Sequence, residues 1–236
     1  MNTWWPYARL ASAALAAAAI VAQLALTLQI AIDSPTPYGG HLPTVIANFF
    51  SFFTIESNVI AAVALAIGGI WGLRTRDAAA EPRWLAVLLV CASTYMIVTG
   101  IVYNALLRGL PLPQGATVPW SNEVLHVVIP LIMLADVLFA PRRRRLGWSA
   151  VTIAALFPIV WVVYTLLRSH TVISPSTGEA WWFPYPFLNW HRISPGEVTM
   201  YVIGIAVVII GIAALVVWVG RRRGIRSVEQ QPSPAL

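Results

Sequence analysis

The sequence predicts an all-α, polytopic membrane protein of six transmembrane helices with both termini in the cytoplasm. Three observations lead there. First, 58% of the 236 residues are hydrophobic and only 10% are charged, against roughly 25% charged in a soluble domain. A chain this depleted cannot cover a water-facing surface. Second, six apolar runs reach the roughly 20 residues that a bilayer-crossing helix needs: 8–32, 44–72, 83–107, 120–140, 147–167 and 198–220. Third, the 15 basic residues are all arginine, and they alternate. With the N-terminus inside, the inner segments hold Arg9; Arg74, Arg76 and Arg83; Arg142 to Arg145; and Arg221, Arg222, Arg223 and Arg226. The outer segments hold only Arg108, Arg168 and Arg192. This bias, repeated at every crossing, follows the positive-inside rule. The net charge of +6 is therefore a topology signal, and no nucleic-acid surface is expected.

The breaks between runs carry turn and charge signals. Asp33-Ser34-Pro35-Thr36-Pro37 ends the first run, and Arg74-Thr75-Arg76-Asp77 follows the second. Pro111-Leu112-Pro113 precedes the fourth, and Pro141 with the four arginines follows it. Trp71, Trp84, Trp120 and Trp148 fall at span ends, where interfacial anchors sit. The first run also has features of a secretory signal, with Arg9 before an Ala-rich core, but it is long for one and lacks a small-x-small cleavage site. Residues 1–223 read as a single transmembrane domain and 224–236 as a polar, disordered cytoplasmic tail. The longest outer segment, 169–197, contains Trp181-Trp182-Phe183-Pro184-Tyr185-Pro186-Phe187, whose prolines and aromatics suit a rigid segment at the interface. The single cysteine, Cys91, permits no intrachain disulfide. Ser57-Asn58 and Ser121-Asn122 recur in the second and fourth spans, too little to establish a duplication.

Polar groups inside a span are costly and mark candidate sites. In the second span, Ser51, Thr54, Ser57 and Asn58 follow three- and four-residue steps and would share one helix face, with Glu56 pointing elsewhere. Such a stripe also serves as hydrogen-bonding glue between helices. In the fourth span, Trp120-Ser121-Asn122-Glu123-Val124-Leu125-His126, the histidine is the only one of four well inside a span. Asn122 and Glu123 precede it on the same face. Pro130 cannot bond the His126 carbonyl, so a kink is expected there. Thr54 and His126 fall about 16 and 10 Å below the outer span ends, at the rise of an ideal helix. Thr99, Tyr103 and Asn104 in the third span can line the same cavity. Asp136, near the inner face, is expected to pair with Arg142 to Arg145.

The pairing of Phe53-Thr54-Ile55 in the second span with Leu125-His126-Val127-Val128-Ile129-Pro130-Leu131 in the fourth resembles the androgen-induced protein / androgen-dependent TFPI-regulating protein family. Pro184-Tyr185-Pro186-Phe187-Leu188 is similar to a segment of its bacterial members, and the resemblance runs from the first span to the sixth. It implies a multipass hydrolase of lipid esters, such as fatty acid esters of hydroxy fatty acids, with Thr54 as nucleophile and His126 as base. No cofactor and no metal are implied. Glu56-Ser57-Asn58 and Ser121-Asn122-Glu123 depart from the animal pattern, and with the all-Arg, Ala-rich composition they point to a bacterial inner membrane.

The chemistry asks for these residue types. A threonine hydroxyl is a weak nucleophile and needs an adjacent base; a neutral imidazole can take its proton and return it to the leaving alcohol. A third group usually orients the base, and Glu123 is the expected one. Asn58, Asn122 and Ser57 are the expected donors to a developing oxyanion. Three other functions suit the same sequence. A transporter would use the polar residues as a path. A metal site would need at least three ligands, and no HxxxH or HExxH spacing is present, His41, His170 and His191 falling in loops. A non-catalytic helical scaffold would need none of this chemistry.

Overall fold

The computed structural model describes residues 4–75, 80–110 and 116–224; Arg76, Asp77, the 111–113 break, Arg226 and the predicted tail beyond Gly224 lie outside them. Among these, six helical segments are long and apolar enough to cross a membrane: Trp5–Ile32, Phe53–Arg74, Arg83–Leu107, Pro119–Phe139, Ser149–Thr171 and Pro195–Arg223. The protein is an all-α polytopic membrane protein, as the apolar runs predict. Its helices are α1 (Trp5–Ile32), α2 (Leu42–Phe50), α3 (Phe53–Arg74), α4 (Arg83–Val102), α5 (Pro119–Glu123), α6 (Ile129–Phe139), α7 (Ser149–Arg168) and α8 (Pro195–Arg223).

Small residues let α1 and α3 approach closely. Ala13 and Ala16 face Ala61 and Ala64, all buried, and a side chain on Gly69 would meet the Pro6 carbonyl and Leu10. Where hydrophobic driving force between helices is weak, such close packing supplies the association energy. The α4 helix is central and touches α3, α6, α7 and α8. The α8 helix opens on a reciprocal capping box, in which Ser194 Oγ accepts from the Glu197 N–H and Glu197 Oε2 from the Ser194 N–H.

The second apolar run is not one helix. It divides at Ser51 and Phe52, where the backbone turns extended before α3 begins. Ser51 therefore does not share a face with Thr54, Ser57 and Asn58. The break persists because tertiary partners occupy it: Trp161 Nε1 donates to the Ser51 carbonyl at 3.0 Å and the Ser51 hydroxyl meets Tyr164 at 2.9 Å. The third and fourth spans each contain a five-residue π-helical turn, Tyr103–Leu107 and Val124–Val128. Such turns insert one residue into the α-helical repeat and recur at functional sites.

The arginines gather at the end of the bundle that the arginine bias assigns to the cytoplasm. There the direct partner of Asp136 is Arg9, and of Arg142 to Arg145 the buried Arg143 lies near enough to act on it through charge alone. Asp136 receives Arg9 Nε at 2.7 Å and Arg9 Nη2 at 3.0 Å, with Trp5 Nε1 at 2.9 Å, and Arg9 Nη2 also reaches Glu81 at 2.9 Å. Arg9, Glu81 and Asp136 are all buried. The 142–145 segment instead holds main-chain carbonyls: Arg142 donates to Thr75, Arg144 to Glu81 and Arg145 to Gly224.

Pro130 lies directly against Gly100, where a Cβ would come within 2.8 Å of the proline ring. Only glycine lets α4 approach the helix at this point. Replacing Gly100 by Val is expected to destabilise the protein by about 1–3 kcal/mol, the usual cost of overpacking. Thermal unfolding in detergent reads this directly, and an unchanged midpoint would mean that the two helices separate freely.

Candidate active site

Two elements that meet nowhere in sequence bring the candidate residues together. Thr54 is the second residue of α3, so the break at Ser51–Phe52 places it in a helical first turn, where backbone N–H groups lack intrahelical partners. His126 sits within the π turn 124–128. Thr54 Oγ1 and His126 Nε2 are 3.2 Å apart, and both residues are buried.

The ring's proton arrangement follows from its other nitrogen. His126 Nδ1 is 2.9 Å from the Asn122 carbonyl, which can only accept, so Nδ1 carries a proton. In the neutral ring, Nε2 is then an acceptor and takes its hydrogen bond from the Thr54 hydroxyl. Tyr103 stacks on the imidazole with centroids 3.8 Å apart and planes at 23°, which fixes the ring's plane.

Glu123 does not orient His126. It turns outward and forms a bidentate pair with Arg108, at 2.9 and 3.0 Å, with both side chains exposed. The orienting group is the Asn122 carbonyl. Glu123 acts at one remove: Arg108 Nε donates to Asn104 Oδ1 at 2.8 Å, and Asn104 Nδ2 lies 3.4 Å from the His126 carbonyl that Pro130 cannot serve.

The expected oxyanion donors are differently engaged. Asn58 donates to the Thr54 carbonyl at 2.9 Å and the Leu125 carbonyl at 3.1 Å, which ties α3 to the π turn and leaves no amide hydrogen free. Asn122 Nδ2 donates to the Tyr103 hydroxyl at 2.6 Å. Ser57 is fully buried and its hydroxyl has no hydrogen-bond partner among the described residues; it borders none of the cavities around Thr54.

Tyr185, expected from sequence only as part of a rigid interfacial segment, reaches Thr54 directly. Its hydroxyl accepts the Thr54 N–H at 3.2 Å and lies 3.3 Å from Thr54 Oγ1. The hydroxyl hydrogen of Thr54 is committed to His126, so Tyr185 is the donor in the second contact. Burial pushes the Tyr185 phenol up to about 12, which keeps that proton in place at neutral pH. The signal was legible as a tyrosine between two prolines, since Pro184 and Pro186 restrict the backbone on both sides.

Thr54 lies where two cavities meet. One, of about 340 Å³, has walls from α4, α7 and α8 that are almost wholly apolar, and it extends to the exposed Ile159 and Ile210 on the lipid-facing side. Of the three third-span residues expected there, Thr99 and Tyr103 line it with Thr54, and Asn104 does not, being turned to the Gly100 and His126 carbonyls. The other, of about 40 Å³, is bordered by Asn122, His126, Gln23 and Thr27. Among the described residues, no three His, Cys, Asp or Glu side chains are grouped to hold a metal ion. His170 and His191 instead pack against Trp190 and Trp181.

Comparison with protein-family models, curated proteins and solved structures finds no match to this chain. The geometry above is therefore the ground for a functional reading.

Proposed function

We propose that this protein is a membrane-embedded hydrolase of lipid esters, with Thr54 as nucleophile and His126 as base, akin to the androgen-induced protein family that its Thr and His segments resemble. One observation carries the reading: the Thr54 hydroxyl faces an acceptor imidazole nitrogen whose tautomer a main-chain carbonyl sets, at the end of an apolar cavity. A nucleophile, a base and an orienting acceptor in sequence are what acyl transfer requires.

In this scheme the acyl chain of an ester occupies the apolar cavity and its carbonyl carbon meets Thr54 Oγ1. His126 Nε2 takes the hydroxyl proton as the new C–O bond forms, then gives it to the departing alcohol. As Thr54 Oγ1 bonds to carbon, the Tyr185 hydroxyl turns its hydrogen from Oγ1 to the oxygen on which charge develops, beside the positive end of α3. Tyr185→Phe removes that donor and is expected to lower turnover by about 10²–10³-fold, with Thr54 still open to covalent labelling. Unchanged turnover of a fluorogenic ester would remove Tyr185 from the mechanism.

The deciding experiment treats detergent-purified protein with a fluorophosphonate. Labelling of wild type at Thr54, lost in folded Thr54→Ala and His126→Ala, is the expected result. A folded wild type that takes no label would overturn the hydrolase reading in favour of transport or a scaffold role, and labelling that survives Thr54→Ala would assign a different nucleophile.

A further inference from the structure

We propose that the water which completes each turnover reaches Thr54 along α1 and α2, through a polar-edged passage separate from the apolar cavity that receives the acyl chain. This rests on the hydrolase reading above. Ester cleavage by a threonine needs two different visitors at the same oxygen. The first is an ester with its acyl chain. The second is water, which attacks the acyl carbon after the alcohol has left. An acyl-enzyme still occupies its own cavity at that moment, so water cannot use that side.

A second approach exists. The 40 Å³ cavity beside His126 is bordered by Gln23, Thr27 and Asn122, and its size and polar edges suit water, which needs roughly 10–15 Å³ and two or more polar partners. A third cavity, of about 130 Å³, continues from it toward the end of the bundle opposite Arg142 to Arg145, where Arg168 donates to Asn48 at its edge. The two share Thr27, Phe49 and Phe52 as a common partition. The outer one is edged by Asn48 and Ser34 and ends at Ser176, which is exposed. The reactive pair thus lies between a lipid-facing apolar chamber and a passage to the polar loops, and among the described residues Thr54, Leu107 and Tyr185 are common to both sides of it.

The second half-reaction balances at the same two residues. Water bound in the inner cavity gives a proton to His126 Nε2 as its oxygen attacks the acyl carbon. The bond to Thr54 Oγ1 then breaks, and His126 returns the proton to that oxygen, releasing the carboxylic acid. Ester and water are consumed, and acid and alcohol are formed.

Two variants test the passage. Thr27→Leu enlarges the partition between the polar cavities and does not touch the apolar chamber. Ser176→Cys places a thiol at the outer mouth, where a bulky methanethiosulfonate can be attached and then removed with reductant, wild type serving as the control for Cys91. With a p-nitrophenyl ester, both obstructions are expected to leave fluorophosphonate labelling fast and to slow steady-state turnover by about an order of magnitude. A p-nitrophenol burst should appear, with the acyl mass found on Thr54, and at position 176 it should vanish on reduction. Fast labelling with unchanged turnover and no acyl-enzyme in both variants overturns the passage while leaving the hydrolase intact. If Thr27→Leu also slows labelling, the reversible block at position 176 decides. A wild type that never labels overturns the hydrolase itself.

Discussion

In a His126→Gln variant, ester turnover is expected to fall on the order of 10⁴-fold or more, as when the base of a nucleophile pair is lost, while the protein unfolds at nearly its original temperature. Glutamine can keep a hydrogen bond to Thr54 and fill most of the space against Tyr103, so the packing survives. It cannot accept and return a proton at neutral pH, so the hydroxyl stays a weak nucleophile. Thr54→Ser, which keeps the attacking oxygen, is expected to retain measurable turnover. The comparison separates chemistry from architecture: a scaffold would respond to these changes through stability and partner binding alone. Turnover of His126→Gln within tenfold of wild type would remove the histidine from the reaction.

The second large effect lies at the other end of the bundle. Arg9→Met removes the one guanidinium that hydrogen-bonds both Asp136 and Glu81 among the described residues, leaving two buried carboxylates with Arg143 as the nearby cation. Breaking one partner out of a buried ion pair costs about 3–5 kcal/mol, mostly through the charge left uncompensated. The unfolding midpoint in detergent should fall accordingly. Neutralising the acids as well, in Arg9→Met with Asp136→Asn and Glu81→Gln, should recover part of the loss. Arg9 lies far along α1 from the Thr54 contacts, so kcat of the folded fraction should hold. A midpoint unmoved by Arg9→Met would mean that water reaches the cluster and screens it.

The six spans were legible because bilayer thickness imposes a length, and the arginines impose an alternation, that need no tertiary information. The residues of the site were legible as types: a threonine and a histidine stand out against apolar neighbours whatever surrounds them. Their relations were not. Spacing arguments assume 3.6 residues per turn, and the π turn at 124–128 breaks that phase just where it matters. Glu123, expected beside His126, is rotated outward, and the Asn122 carbonyl takes its place. The interruption at Ser51–Phe52 carries no glycine or proline; its stabilising contacts come from Trp161 and Tyr164, more than a hundred residues away. Asp136 was expected beside Arg142 to Arg145 because they follow it in the chain, and only the packing of α1 against α3 and α6 brings Arg9 to it.

The contact between Tyr185 and Thr54 has a consequence for how the protein is made. The chain is made from its N-terminus, and Thr54 and His126 are both synthesised by residue 126. The phenol that occupies the Thr54 N–H arrives 131 residues after the threonine. Until the 181–188 segment emerges and docks, the first turn of α3 has an unpaired donor within an apolar setting. Completion of the contacts around Thr54 is thus tied to translation of the last third of the chain. A ribosome that stops before this segment leaves a bundle without its aromatic cover over Thr54.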